Sequence, residues 1–159
     1  MSWEMKKNES RKELKVSAIE NGSVIDHIPA KNVFQVIRIL NLHEFTDQIL
    51  FGINLDSRKM GKKGIIKVSN KFFLPDEINK IALVAPTATL IIIRNFQVVE
   101  KNKVEVPDTV EMIVKCFNPN CITNHENVTT RFTVINKEEL KLLCHYCEKI
   151  TSGESIAFL

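Results

Sequence analysis

The chain has no long apolar run. Its most apolar stretch, Ala82 to Ile93, is broken by Pro86 and is too short to span a bilayer. It opens on Met1-Ser2-Trp3-Glu4 without an apolar leader, so the expected compartment is the reducing cytoplasm, where structural disulfides do not persist. No nucleophile–base motif stands out, which argues against an independent enzyme. The basic stretch Asp56 to Gly64 has two glycines but no Gly-Lys-Ser/Thr opening a helix, so it is not a Walker loop. Charge is also modest: 22 basic against 19 acidic residues leave a net +3 and a pI near 8.7. That balance admits an anionic ligand but lacks the concentrated field of a dedicated nucleic-acid binder. At 159 residues, 18.2 kDa and 44% hydrophobic content, one soluble domain or two small ones are expected.

Cysteine is absent everywhere except between residues 116 and 147. There the four cysteines form two close pairs, Cys116-Phe117-Asn118-Pro119-Asn120-Cys121 and Cys144-His145-Tyr146-Cys147. Two pairs of thiolates, each presented by a tight turn, suit one tetrahedral Zn²⁺. Four protein sulfurs would leave the ion no open position, so its role would be architectural and not catalytic. Two disulfides and a redox pair are the weaker readings in a reducing compartment. His125 and His145 are expected on the surface or supporting the site, since four thiols already complete it.

Residues 1 to 13 are polar and without apolar periodicity, and are expected to form a flexible extension. Leu14 to Glu20 reads as a strand ended by the Asn21-Gly22 turn, and Val24 to Pro29 as the approach to a helix whose apolar face is Val33, Phe34, Ile37 and Leu40. Ile49 to Leu55 and Ile65 to Ser69 read as strands flanking the basic loop. Lysines in that loop are more often a solvated hairpin tip than a phosphate site. A second helix opens at Leu74-Pro75-Asp76-Glu77 and buries Ile78, Ile81 and Ala82. Thr89 to Arg94 and Phe96 to Lys101 complete a strand, helix, strand, strand, helix, strand order with a further strand. The expected class is therefore α+β: a ferredoxin-like domain, with an antiparallel sheet and two helices, over residues 14–106. A boundary at Asn102 to Asp108 then leads to a small all-β four-cysteine zinc domain over 107–159. Thr130 to Ile135, Ile150 and Ile156 to Leu159 read as its short strands, and it is small enough to depend on the metal for folding.

A ferredoxin-like unit followed by that cysteine pattern resembles the regulatory chain of aspartate carbamoyltransferase from about Leu14 onward. The resemblance is carried by Val16-x-Ala18-Ile19, by Gly22-x-Val24-Ile25-Asp26-His27-Ile28-Pro29-Ala30, and by Gly52-x-Asn54-Leu55, Met60-Gly61 and Ala85-Pro86-x-Ala88-Thr89. It is strongest at Cys116-x-Asn118-x-Asn120-Cys121 with Cys144-x-Tyr146-Cys147-Glu148-Lys149. The resemblance implies a non-catalytic chain of pyrimidine biosynthesis. Its first domain would bind nucleotide effectors, CTP inhibiting, ATP activating and UTP assisting inhibition in some members. Its zinc domain would dock on the catalytic chain, and homodimers formed through the first domain would bridge catalytic trimers.

By the same resemblance, Val16, Ser17, Ala18 and Ile19 flank the base, Asp26 and His27 belong to the site, and Lys63, Lys67 and Lys101 lie at ribose and phosphates. Ile91 stands where the family pattern has an asparagine, Phe96 where it has a tyrosine, and Ser17 where it has an acidic residue. Asn118, Asn120, Glu148 and Lys149 match the surface that faces the catalytic chain, although asparagines there also cap the turn around a metal. The competing reading is a zinc-ribbon nucleic-acid-binding protein. It is weakened because Phe117, Phe132 and Tyr146 are scattered and not clustered with basic residues.

Overall fold

A computed structural model describes residues 18–159. The first sheet has five antiparallel strands: β1 (Gly22–Pro29), β2 (Ile49–Ser57), β3 (Gly61–Ser69), β4 (Thr89–Arg94) and β5 (Gln97–Lys103), in the order β2-β3-β1-β4-β5. Helix α1 (Val33–Ile39) joins β1 to β2, and α2 (Pro75–Val84) joins β3 to β4. This is the expected split βαβ arrangement with a fifth strand at one edge. The expected strand Leu14 to Glu20 falls partly outside the described residues, and Ala18 to Glu20 contain no strand. Among the described residues the first strand is Gly22–Pro29, where the sequence suggested only the approach to a helix, and it pairs with β3 on one side and β4 on the other. Its apolar residues run together because a central strand is covered on both faces, so period-two alternation is lost.

The basic loop is shorter than expected. Arg58, Lys59 and Met60 make the turn, while Gly61 to Gly64 already pair within β3. Gly64 packs so close to α1 that a Cβ there would lie 2.0 Å from Val33 Cγ2. On α1, Val33 and Val36 are fully buried and Leu40 closes the face, but Phe34 is exposed, unlike the expected apolar stripe. Its ring meets Phe51 of β2 edge-on at 5.6 Å. Helix α2 starts with Pro75 in its first turn, and the Glu77 carboxylate accepts the Leu74 N–H, so an orphan donor of the helix entry is satisfied. It buries Ile81, Ala82, Leu83 and Val84.

From Val104 and Val106 the apolar core continues into the C-terminal unit, where Val110, Phe132 and Leu142 are buried. A four-stranded sheet there runs β10 (Ile150–Ser152), β9 (Lys141–Cys144), β8 (Arg131–Asn136), β6 (Thr109–Glu111), with β7 (Val114–Lys115) and β11 (Ala157–Phe158) as a separate pair. The expected strands at 130–135, 150 and 156–159 are present within a residue or two. Strand β9 was not anticipated because it is short and ends in Cys144, whose chemistry masks its strand character.

Candidate metal centre and ligand face

The two cysteine turns converge. Cys116 and Cys121 flank a loop after β7, and Cys144 ends β9 just before the turn that carries Cys147. All four Sγ atoms lie within 4.8 Å of one another, with 3.6 Å between Cys116 and Cys147 and 3.8 Å between Cys121 and Cys144. A tetrahedron of sulfurs at about 2.3 Å from a central ion has edges of about 3.8 Å, so the two closest pairs already stand at the spacing of a four-coordinate metal site. The thiols are free, which excludes the two-disulfide reading in this structure. Among the described residues, the cluster able to hold a metal consists of these cysteines alone, and His125 and His145 are exposed outside it.

The surroundings prepare the ligands. Burial pushes the Cys116 thiol up to about 12, against the opposing pull of the Asn118 N–H, with the neighbouring thiols Cys147 and Cys121 adding to the rise. Burial likewise raises Cys144. Burial also acts to raise Cys147, but the Lys149 N–H, the Asn118 side chain and the thiols of Cys116 and Cys144 outweigh it and bring it to about 7. Thr123 donates its hydroxyl to Cys121 Sγ at 3.2 Å. Asn118, one of the residues matched to a partner surface, is buried at 8% exposure, and its Oδ1 accepts the Asn120 N–H at 3.1 Å. Its carboxamide therefore serves the turn, while Asn120, Glu148 and Lys149 are exposed. Around them Phe117, Ile122 and Tyr146 remain about half exposed, an apolar rim where sequence reading saw in Phe117 and Tyr146 only scattered core or turn residues.

On the five-stranded sheet, the registers align Leu50, Lys67, Val24, Ile91 and Lys101 in one row across all five strands. The adjacent row contains Phe51, Ile66, Ile25 and Leu90, and it faces the helices, as the Phe34–Phe51 contact shows. Successive strand residues point to opposite faces, so Lys67, Ile91 and Lys101 share the face without helices. Lys67 is nevertheless buried, and burial lowers its pKa against the attraction of Asp26.

A bulge in β1 between Ile25 and Ile28 sets His27 at φ +57°, with its N–H donated to Asp26 Oδ1 at 2.7 Å. Lys63 Nζ reaches the same oxygen at 2.7 Å. Burial tends to raise the Asp26 pKa, but the Lys63 ammonium and the His27 N–H hold it below the ordinary carboxylate value. Burial pushes His27 below its ordinary value; Asp26 pulls it up, while Lys63, Lys59 and Lys101 push it down. Thr89 Oγ1 lies 3.1 Å from His27 Nδ1, and Thr87 donates to the His27 carbonyl at 2.9 Å. A cavity of 330 Å³ opens beside His27, bounded by Lys59, Thr87, Thr89 and Lys103.

Asp26, His27, Lys63 and Lys67 are thus brought into one electrostatic cluster, with Lys101 close enough to act on His27. Phe96 sits apart on the β4–β5 turn, exposed at φ +65°, its N–H donated to the Glu20 carbonyl. Ala18 is exposed and Ile19 buried, whereas Val16 and Ser17 lie outside the described residues. Thr87, Thr89 and Lys59 adjoin His27 without having been singled out as candidates from the sequence. The Ala85-Pro86-x-Ala88-Thr89 string pointed to the place, but only the fold sets Thr89 opposite Asp26.

Two family models match the chain. Residues 14–105 match the family model described as aspartate carbamoyltransferase regulatory chain, allosteric domain, and residues 108–157 match that of its metal binding domain. The chain is 58% identical over 146 residues to the aspartate carbamoyltransferase regulatory chain of Pyrococcus horikoshii, covering 91% of this chain and 96% of the relative. It is 50% identical over 152 residues to that of Bacteroides fragilis, covering 96% and 99%. It is 59% identical over 138 residues to that of Thermococcus sibiricus, covering 87% and 91%.

Proposed function

Because the chain belongs to the family of aspartate carbamoyltransferase regulatory chains, we propose that it is a non-catalytic subunit that couples nucleotide binding on residues 14–106 to a catalytic chain held by residues 107–159. The observation that carries this reading is the presence, on one chain, of a closed four-thiol centre and of the Asp26–His27–Lys63–Lys67 cluster on a separate sheet. A closed thiol centre suits structural Zn²⁺, which would fix the loop that meets the partner. Asn120, Glu148 and Lys149 would form polar contacts to the catalytic chain, with Phe117, Ile122 and Tyr146 as the apolar part and Asn118 supporting the loop from beneath.

The effectors would be CTP and ATP, with UTP as an auxiliary inhibitor. Lys63, Lys67 and Lys101 supply positive point charges for ribose and phosphates, and His27 and Asp26 orient the ligand. The base would lie toward Val16 to Ile19, with Ile91 and Phe96 contributing apolar contact and no hydrogen-bond donor. Nucleotide binding then alters the assembly only to the extent that it distinguishes the assembly's alternative states. A homodimer through the first unit would link catalytic trimers in the cytoplasm. The family match disfavours the nucleic-acid-binding alternative, and no helix among the described residues is long and apolar enough to cross a membrane.

The test is the light-scattering mass of the Zn²⁺-loaded chain mixed with the catalytic trimer from the same source, beside a metal-stripped sample. A large, zinc-dependent complex whose aspartate response shifts with CTP or ATP is expected. A folded, zinc-loaded chain that forms no complex would remove the partner assignment. A complex indifferent to nucleotides would remove the allosteric one.

A further inference from the structure

The two cysteine turns are not equally constrained. Cys144 and Cys147 enclose two residues in a turn closed by the Glu148 N–H to the Cys144 carbonyl at 3.0 Å. Cys116 and Cys121 enclose four residues, and a loop of that size has more ways to spread its sulfurs when thiolates repel one another. We infer that Asn124 is the positioning residue that holds this wider turn in metal-binding shape.

Its Nδ2 donates to the Cys116 carbonyl at 3.0 Å and to the Asn118 carbonyl at 2.8 Å. An asparagine amide nitrogen carries two protons, so both are used on the backbone of the ligand loop. The side chain is itself held, because the Asn124 N–H donates to the Cys121 carbonyl at 2.9 Å, closing the short turn Ile122–Asn124. One carboxamide therefore ties the residue after the first turn to both the first ligand and the middle of the loop. Asn118, fastened at its carbonyl by this clamp, reaches the Cys147 sulfur with its side chain, which connects the wide turn to the narrow one. Groups that orient metal ligands from behind are worth 10- to 100-fold in metal affinity.

This inference rests on the four cysteines binding one divalent ion, and the experiment separates the two ideas. Full-length wild-type chain, Asn124→Ala, the near-isosteric and uncharged Asn124→Leu, and Asn127→Ala on the exposed loop nearby are loaded with Zn²⁺ and then with Co²⁺. Metal content, chelator competition and the Co²⁺ absorption spectrum are measured. Wild type and Asn127→Ala should hold one ion with the same affinity and the same four-thiolate Co²⁺ spectrum. Asn124→Ala and Asn124→Leu should release the ion at about 10- to 100-fold lower chelator activity, with a shifted Co²⁺ ligand-field band from the relaxed turn. If Asn124→Ala fails to fold, Asn124→Leu decides. Wild-type affinity and spectrum in Asn124→Leu, even with lowered resistance to urea, would overturn the positioning role. No metal uptake by wild type would overturn the metal reading and the inference with it.

Discussion

Replacing Lys63 by Met should expose how much the ligand face depends on one ion pair. Lys63 Nζ stands 2.7 Å from Asp26 Oδ1, and the two side chains are only 19% and 15% exposed. At that exposure neither charge is well served by water, so the pair is closer to a buried bridge than to a surface one. In Lys63→Met the Asp26 carboxylate keeps the His27 N–H and the attraction of Lys67 but loses the ammonium hydrogen-bonded to it. A charged hydrogen bond contributes about 1.5–3 kcal/mol, and breaking a partly buried pair leaves a further desolvation cost, so a loss of about 2–4 kcal/mol is expected at pH 7. The sign with pH is defined. Asp26 has a folded pKa below its unfolded value near 3.9, so its contribution is complete above that value and disappears as pH falls through the folded pKa. Without Lys63, burial dominates and the folded pKa should rise above the unfolded one, so the destabilisation of Lys63→Met should be largest at neutral pH and shrink as acid protonates Asp26. Urea unfolding followed by circular dichroism between pH 3 and 7, on Lys63→Met, Asp26→Asn and the double variant, measures the coupling. A coupling below about 0.5 kcal/mol, as for exposed pairs, would refute the argument.

Metal binding should weaken steeply with acid. Cys116 near 12 and the raised Cys144 are both protonated at pH 6–7, so at least two protons leave and affinity should fall about 100-fold or more per pH unit, readable by chelator competition. Chelating the metal should unfold the C-terminal unit while the five-stranded sheet persists, which hydrogen exchange would resolve strand by strand. The imidazole of His27 should titrate below its ordinary value in the free chain and move upward when CTP or ATP is added, because a phosphate offsets the nearby lysines. An NMR titration unchanged by nucleotide would place the phosphates elsewhere. Gly64→Ala should cost about 1–3 kcal/mol in urea unfolding, since the new Cβ meets Val33 Cγ2 and a β-branched side chain has little freedom to yield.

The amino-acid sequence alone determined the chemistry and the order of parts. Cysteines at 116, 121, 144 and 147 announce a four-thiol metal site, because thiolate affinity and the close spacing within each pair are local properties. The helix at Pro75 is likewise written in its own first turn, and the motif from Gly22 to Ala30 carries the family resemblance in its residues alone. Tertiary structure decided everything that depends on what lies across the sheet. It made Gly22–Pro29 a central strand by giving it two partners, and turned Phe34 outward against Phe51. It buried Lys67 in a row with Val24 and Ile91, and brought Thr89 to His27 across 62 positions of chain. Those outcomes follow from pairing register and from burial by distant segments, which no local window of sequence contains.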